Sequence, residues 1–113
     1  MARVVAFVPD LLFGSSVHAA LTAAGHQVEL VGELAPDIEA DVLVVDLTAD
    51  AVGRIEHARP VAARGVPTLA FYSHVETDVR ELADQAGFDL VVPRSRMARE
   101  SATLVTKLVS NAA

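Results

Sequence analysis

Cysteine and tryptophan are both absent from the 113 residues, and lysine occurs once, at Lys107. Without cysteine there can be no disulfide and no thiolate nucleophile or ligand, which fits a cytoplasmic protein. Aromatic residues make up only 4%, so a core must be built from valine, leucine, alanine and a few phenylalanines. Basic residues are also few, 9 against 15 acidic ones, for a formal net charge of −6. The field of such a chain repels a phosphate backbone, so broad nucleic-acid binding is not expected. No uninterrupted apolar run approaches the roughly 20 residues of a membrane span, and no membrane role is expected. The opening Met1–Val5 leads straight into a strand-like run and lacks the layout of a secretory signal. A cytoplasmic location is the expectation.

What is present is globular. Hydrophobic residues reach 52% and charged ones 21%, at a length that suits one domain over residues 1–113. Short apolar runs rich in β-branched residues recur at Val4–Val8, Val28–Val31, Val42–Val45, Thr68–Tyr72 and Leu90–Val92. Only the second shows much polar alternation. Continuous runs of this kind suit a parallel sheet covered on both faces. Between them, Leu12–Ala24 places Val17, Leu21 and Ala24 on one helical face. Thr77–Ala86 does the same with Val79, Leu82, Ala83 and Ala86, with Thr77 as its expected N-cap. A last helix over about 97–110 stacks Met97, Leu104, Val105, Leu108 and Val109. Gly25, Gly65 and Gly87 each close a helix-like run ahead of a strand. Residues 34–40 (LAPDIEA) allow only a short helix or a turn, and Pro60 is expected to kink or split the helix within Asp50–Arg64. Together these signals predict an α/β fold: a flavodoxin-like, doubly wound three-layer sandwich on a five-stranded parallel sheet of order 2-1-3-4-5.

In such sheets ligands bind beyond the carboxyl ends of the strands, where the strand order reverses. Strand one ends at Pro9-Asp10 and strand three at Asp46, so two carboxylates are expected at one crevice. Strand four ends nearby with Ser73-His74 and strand five with Pro93-Arg94. Two carboxylates, a backbone carbonyl and waters can hold Mg²⁺, which takes octahedral oxygen ligands. A carboxylate can attack phosphorus to give an acyl phosphate, provided donors and cations receive the developing charge. Ser73 and Arg94 are of the right types for that.

The segments VLVVDLT, LAFYSH and AGFDLVVPRS, with the length and element order, resemble the receiver domains (CheY-like) of bacterial response regulators over the whole chain. The resemblance implies a two-component, phosphorelay role in signal transduction. By it, Asp46 is the phosphoacceptor, and Asp10, Asp46 and the Thr48 carbonyl are the Mg²⁺ ligands. Ser73 becomes the switch hydroxyl, with Arg94 as a phosphate contact. A histidine kinase or a downstream effector is the implied partner, and no turnover enzyme is implied. Two departures stand out. The family usually carries two adjacent acids after strand one, where this chain has Pro9 beside a single Asp10. It usually has lysine then proline after strand five, where Pro93 here precedes Arg94, and arginine is no equivalent of lysine at such a position.

Plainer readings stand beside these. Asp46 can be an ordinary strand-end acid, and Asp10 can simply cap a helix. The Ser73 hydroxyl can bond to backbone, and Arg94, with Arg96 and Arg99 close by, can be a solvated cation. The histidines, His18, His26, His57 and His74, have no metal-like spacing. Gly14-Ser15-Ser16 matches no phosphate-loop pattern and reads as a first helical turn of small residues. A flavodoxin-type flavin or nucleotide site would need more aromatics than Phe13 and Tyr72. A degenerate, stand-alone receiver remains, a pseudo-receiver that binds a partner or forms a homodimer through its last two helices without phosphorylation. Tyr72 should point away from the face carrying Ser73, which leaves the serine without an aromatic to move with it.

Overall fold

The computed structural model describes residues 2–112. Five strands, β1 (Arg3–Phe7), β2 (Gln27–Val31), β3 (Val42–Asp46), β4 (Thr68–Tyr72) and β5 (Leu90–Pro93), form one sheet of order β2-β1-β3-β4-β5. Every pairing is parallel, with Phe7 beside both Val31 and Val45, Asp46 beside Phe71, and Tyr72 beside Pro93. The expected architecture and strand order are therefore observed. Four helices complete it: α1 (Leu11–Ala23), α2 (Ala51–Ala63), α3 (Thr77–Gln85) and α4 (Arg94–Ala112).

Strand alternation divides the core in two. Val4, Ala6, Val42, Val44, Leu69, Phe71 and Val92 point to one face, where α1 contributes Phe13, Val17 and Leu21 and α4 contributes Met97, Leu104, Val105 and Leu108. Val5, Phe7, Leu43, Val45, Ala70 and Tyr72 point to the other, under Ile55, Ala58 and Val61 of α2 and Val79 and Ala83 of α3. The strands β3 and β4 are buried along their whole length, which is why they read as unbroken apolar runs.

The second face lacks a helix between β2 and β3. Residues 32–41 cross irregularly, with Leu34, Ile38 and Ala40 laid over the sheet, so the turn alternative for 34–40 is the one adopted. Pro36 in mid-segment disfavours a helix across so short a connection. The strand beneath is adapted to this. Val28 packs toward α1 and Leu30 lies close to Gly14, while Gln27 and Glu29, which alternate with them, are exposed. The polar alternation of β2 is thus the trace of a missing helix.

Local expectations met three corrections. A single helix runs through Pro60 rather than splitting there. The proline is exposed near the C-terminal end, so one hydrogen bond is lost while Ala58 and Val61 stay packed. The N-cap of α3 is Glu76, without a side-chain hydrogen bond, and Thr77 is already helical. The last helix starts three residues earlier than its apolar stripe suggested, at Arg94, and breaks at Glu100 (φ −127°, ψ 17°). Glycine does end three helices as expected: Gly25, Gly65 and Gly87 have φ of +93°, +89° and +80°, a region costly for any residue with a Cβ.

Candidate functional site

The parallel register brings the C-terminal ends of β1, β3, β4 and β5 to one edge, and with them Asp10, Asp46, Ser73 and Arg94. Their side chains then go to three different tasks.

Asp10 caps α1. Its Oδ1 accepts from the backbone N–H of Leu12 at 3.0 Å and of Phe13 at 3.1 Å. These are two of the donors a helix N-terminus leaves free, so the plain capping role is satisfied in full. The helix it starts can sit close to the sheet because Gly14 has no side chain. A Cβ there would come within 3.2 Å of the Val8 carbonyl oxygen.

Asp46 is 2% exposed, and both carboxylate oxygens and the carbonyl oxygen face groups of the chain itself. Oδ1 accepts from the Thr48 backbone N–H at 2.8 Å and from the Thr48 hydroxyl at 2.5 Å. Oδ2 lies 3.4 Å from Nη1 of Arg54, and the same Nη1 donates to the Asp46 carbonyl oxygen at 3.0 Å. Arg54 belongs to the first turn of α2, and its side chain is only 16% exposed. A buried carboxylate requires such pairing, since an isolated charge away from water is strongly disfavoured. The local chain prepares this. Leu47 buries itself just after the strand, and Asp50 turns the backbone through a left-handed conformation (φ 46°, ψ 47°) into α2. Four residues later the helix places Arg54 back against Asp46.

Ser73 and Arg94 line a second feature, a cleft of about 330 Å³ shared with His74, Ser95 and Ala98. The Arg94 guanidinium carbon stands 4.3 Å from the centroid of the Phe13 ring, and Phe13 in turn packs on Phe71 at 5.0 Å. The strand-five cation is therefore stacked on the first turn of α1. Among the described residues, no hydrogen bond or ion pair joins it to Asp46. The Ser73 carbonyl closes a turn by accepting from the Glu76 N–H at 2.8 Å. Tyr72 is buried on the α2–α3 face, opposite to Phe71, as strand alternation requires.

Arg54 was not singled out in the sequence. Nothing local marks it, because the contact depends on how α2 leaves β3. Phe13 as the seat of Arg94 is equally a product of packing between α1 and α4.

A bound Mg²⁺ would need oxygen atoms free to face it. As arranged, both Asp46 oxygens and the capping Oδ1 of Asp10 are already engaged, and the Arg54 guanidinium supplies positive charge beside Asp46. Among the described residues no group of three or more histidine, aspartate or glutamate side chains is placed to hold a metal. The donor set in this arrangement does not fit the ion.

No protein-family model matches the sequence, and no curated protein does. Solved structures do share the fold. The receiver domain of the Francisella response regulator 1452 superposes with a TM-score of 0.83 at 13% identity, covering 100% of both chains. A response regulator receiver protein from Burkholderia phymatum gives 0.81 at 19% identity, over 97% of this chain and 96% of that one. The receiver domain of the sensor histidine kinase PA1611 from Pseudomonas aeruginosa PAO1, solved with a magnesium ion coordinated in its active site cleft, gives 0.79 at 18% identity, over 96% and 98%. The chain has the CheY-like fold of receiver domains. No helix among the described residues is long and apolar enough to cross a membrane.

Proposed function

We propose that this chain is a receiver-like signalling module that works through protein–protein contact without needing phosphorylation. One observation carries the reading: the strand-three aspartate is buried and held by Thr48 on one oxygen and Arg54 on the other. A nucleophilic carboxylate needs a lone pair facing its electrophile. On Asp46 one oxygen accepts two hydrogen bonds from Thr48 and the other faces the Arg54 guanidinium. An electrophile must displace Arg54 to reach that second oxygen, and the end of β3 acts as a closed structural knot. Signal then passes by docking of a protein partner, or of a second copy of the chain on α3 and α4.

The second reading makes Asp46 a phosphoacceptor, with Mg²⁺ on Asp10, Asp46 and the Thr48 carbonyl and with Ser73 and Arg94 receiving the phosphoryl group. The collection of all four side chains at one sheet edge favours it. It requires Arg54 to leave Oδ2.

Beryllofluoride with Mg²⁺, followed by amide NMR on the intact chain, separates the two. The expected result is no saturable change. Large shifts spreading from Asp46 through residues 74–110 would establish the conventional switch in its place.

A further inference from the structure

The missing helix on the α2 face leaves a second opening, distinct from the Ser73–Arg94 cleft. It has a volume of about 570 Å³ and lies between the end of β1, the turn after β2 and the first turns of α2. That volume falls in the usual small-ligand range of roughly 300–1,000 Å³. Its lining is sorted by chemistry. Phe7 and Leu34 supply apolar surface, Glu33 and Asp50 supply carboxylates, and Arg54 and His57 supply basic groups from successive turns of α2. Both basic residues sit on one side of that helix, because positions three apart are neighbours on its surface.

Arg54 is common to this cleft and to the Asp46 knot. Its Nη1 is committed to Asp46, whereas a guanidinium carries five N–H donors in all. An anion entering the cleft therefore meets a cation already partly engaged, and competes with Asp46 for it.

We propose that this cleft binds a small zwitterion of the amino-acid class, with its carboxylate on Arg54 and His57. Its ammonium meets Glu33 and Asp50, and an apolar side chain lies on Phe7 and Leu34. The balance of two acids against two bases selects for both charges on one ligand. A polyanion such as a nucleotide is disfavoured by the two carboxylates and by the net charge of −6. Binding draws Arg54 toward the ligand and loosens its hold on Asp46. The proposal rests on the reading of Asp46 as closed by Arg54, and it supplies that module with a ligand input in place of a phosphoryl group.

L-leucine is the probe, titrated into the intact chain and followed by amide shifts. Its one-charge analogues, 4-methylpentanoate and isopentylamine, are run beside it. Saturable shifts at residues 32–34 and 50–57 are expected with leucine, with either analogue weaker by roughly tenfold or more, the usual loss for a charge-assisted contact. His57→Ala should weaken leucine binding, and Asp46→Asn should tighten it by releasing Arg54 from its competitor. Shifts that never saturate, analogues that bind as well as leucine, or an affinity indifferent to both substitutions would each overturn the proposal. The beryllofluoride experiment is independent of these outcomes. A chain that takes up beryllofluoride refutes the closed-site reading, whereas one that takes up neither probe refutes only the ligand.

Discussion

The two faces of the sheet are built on different terms. On the α1–α4 face, two helices cover the central strands, and the aromatic pair Phe13–Phe71 is sealed by Met97, Leu104 and Val105. On the α2–α3 face, one helix position is empty, a ten-residue crossing stands in for it, and the edge strand turns polar side chains outward. The closed face carries packing energy. The open face carries the larger cleft, and Arg54 at the start of α2 reaches from that side to Asp46 at the end of β3. The comparison teaches that removing a helix from a doubly wound fold need not cost its core, provided the strand below becomes amphipathic. It also leaves a concavity next to the switch point, where open sheets usually bind ligands.

The comparison can be broken most directly at Phe71. Truncation to alanine opens a cavity among fully buried side chains, and a loss of about 3–5 kcal/mol in urea unfolding is expected. A loss no larger than that from a change on the open face would show that the two faces are not so different. Next comes Arg54→Ala, which strands a buried carboxylate with only Thr48 for support. About 2–3 kcal/mol is expected, the cost of a lost hydrogen bond to a charged group. The double variant with Asp46→Asn should recover part of it, since the orphaned charge is then gone as well. Leu34→Ala tests the crossing itself. The site can relax around a loop residue, so the expected loss is about 2 kcal/mol, the low end for a leucine truncation. Amide exchange should then rise across residues 32–41 while α1 and α4 stay protected. The smallest effect belongs to Arg94→Ala, which removes an exposed stack on Phe13 worth about 0.5–1 kcal/mol. A larger loss there would mean that Arg94 also serves the Asp46 edge.

The register of strands and helices was legible because burial on both faces leaves β1, β3 and β4 no freedom in composition. Helix ends were legible where a glycine must take a positive φ, and Asp10 announced its cap because capping is a contact between near neighbours in the chain. The parallel strand order followed from the same pattern, and it puts Asp10, Asp46, Ser73 and Arg94 on one edge whatever their side chains contact. The direction in which each of those side chains commits itself was not legible. Arg54 reaches Asp46 because a left-handed Asp50 aims α2 back over the strand end, and Arg94 turns to Phe13 because α4, which it begins, packs beside α1. Such contacts join residues on separate elements, and their energies depend on angles and burial that local composition does not encode. The sequence by itself determined the scaffold and which chemical groups gather at its edge. Tertiary packing alone decided which groups face one another, and it set Arg54 against Asp46.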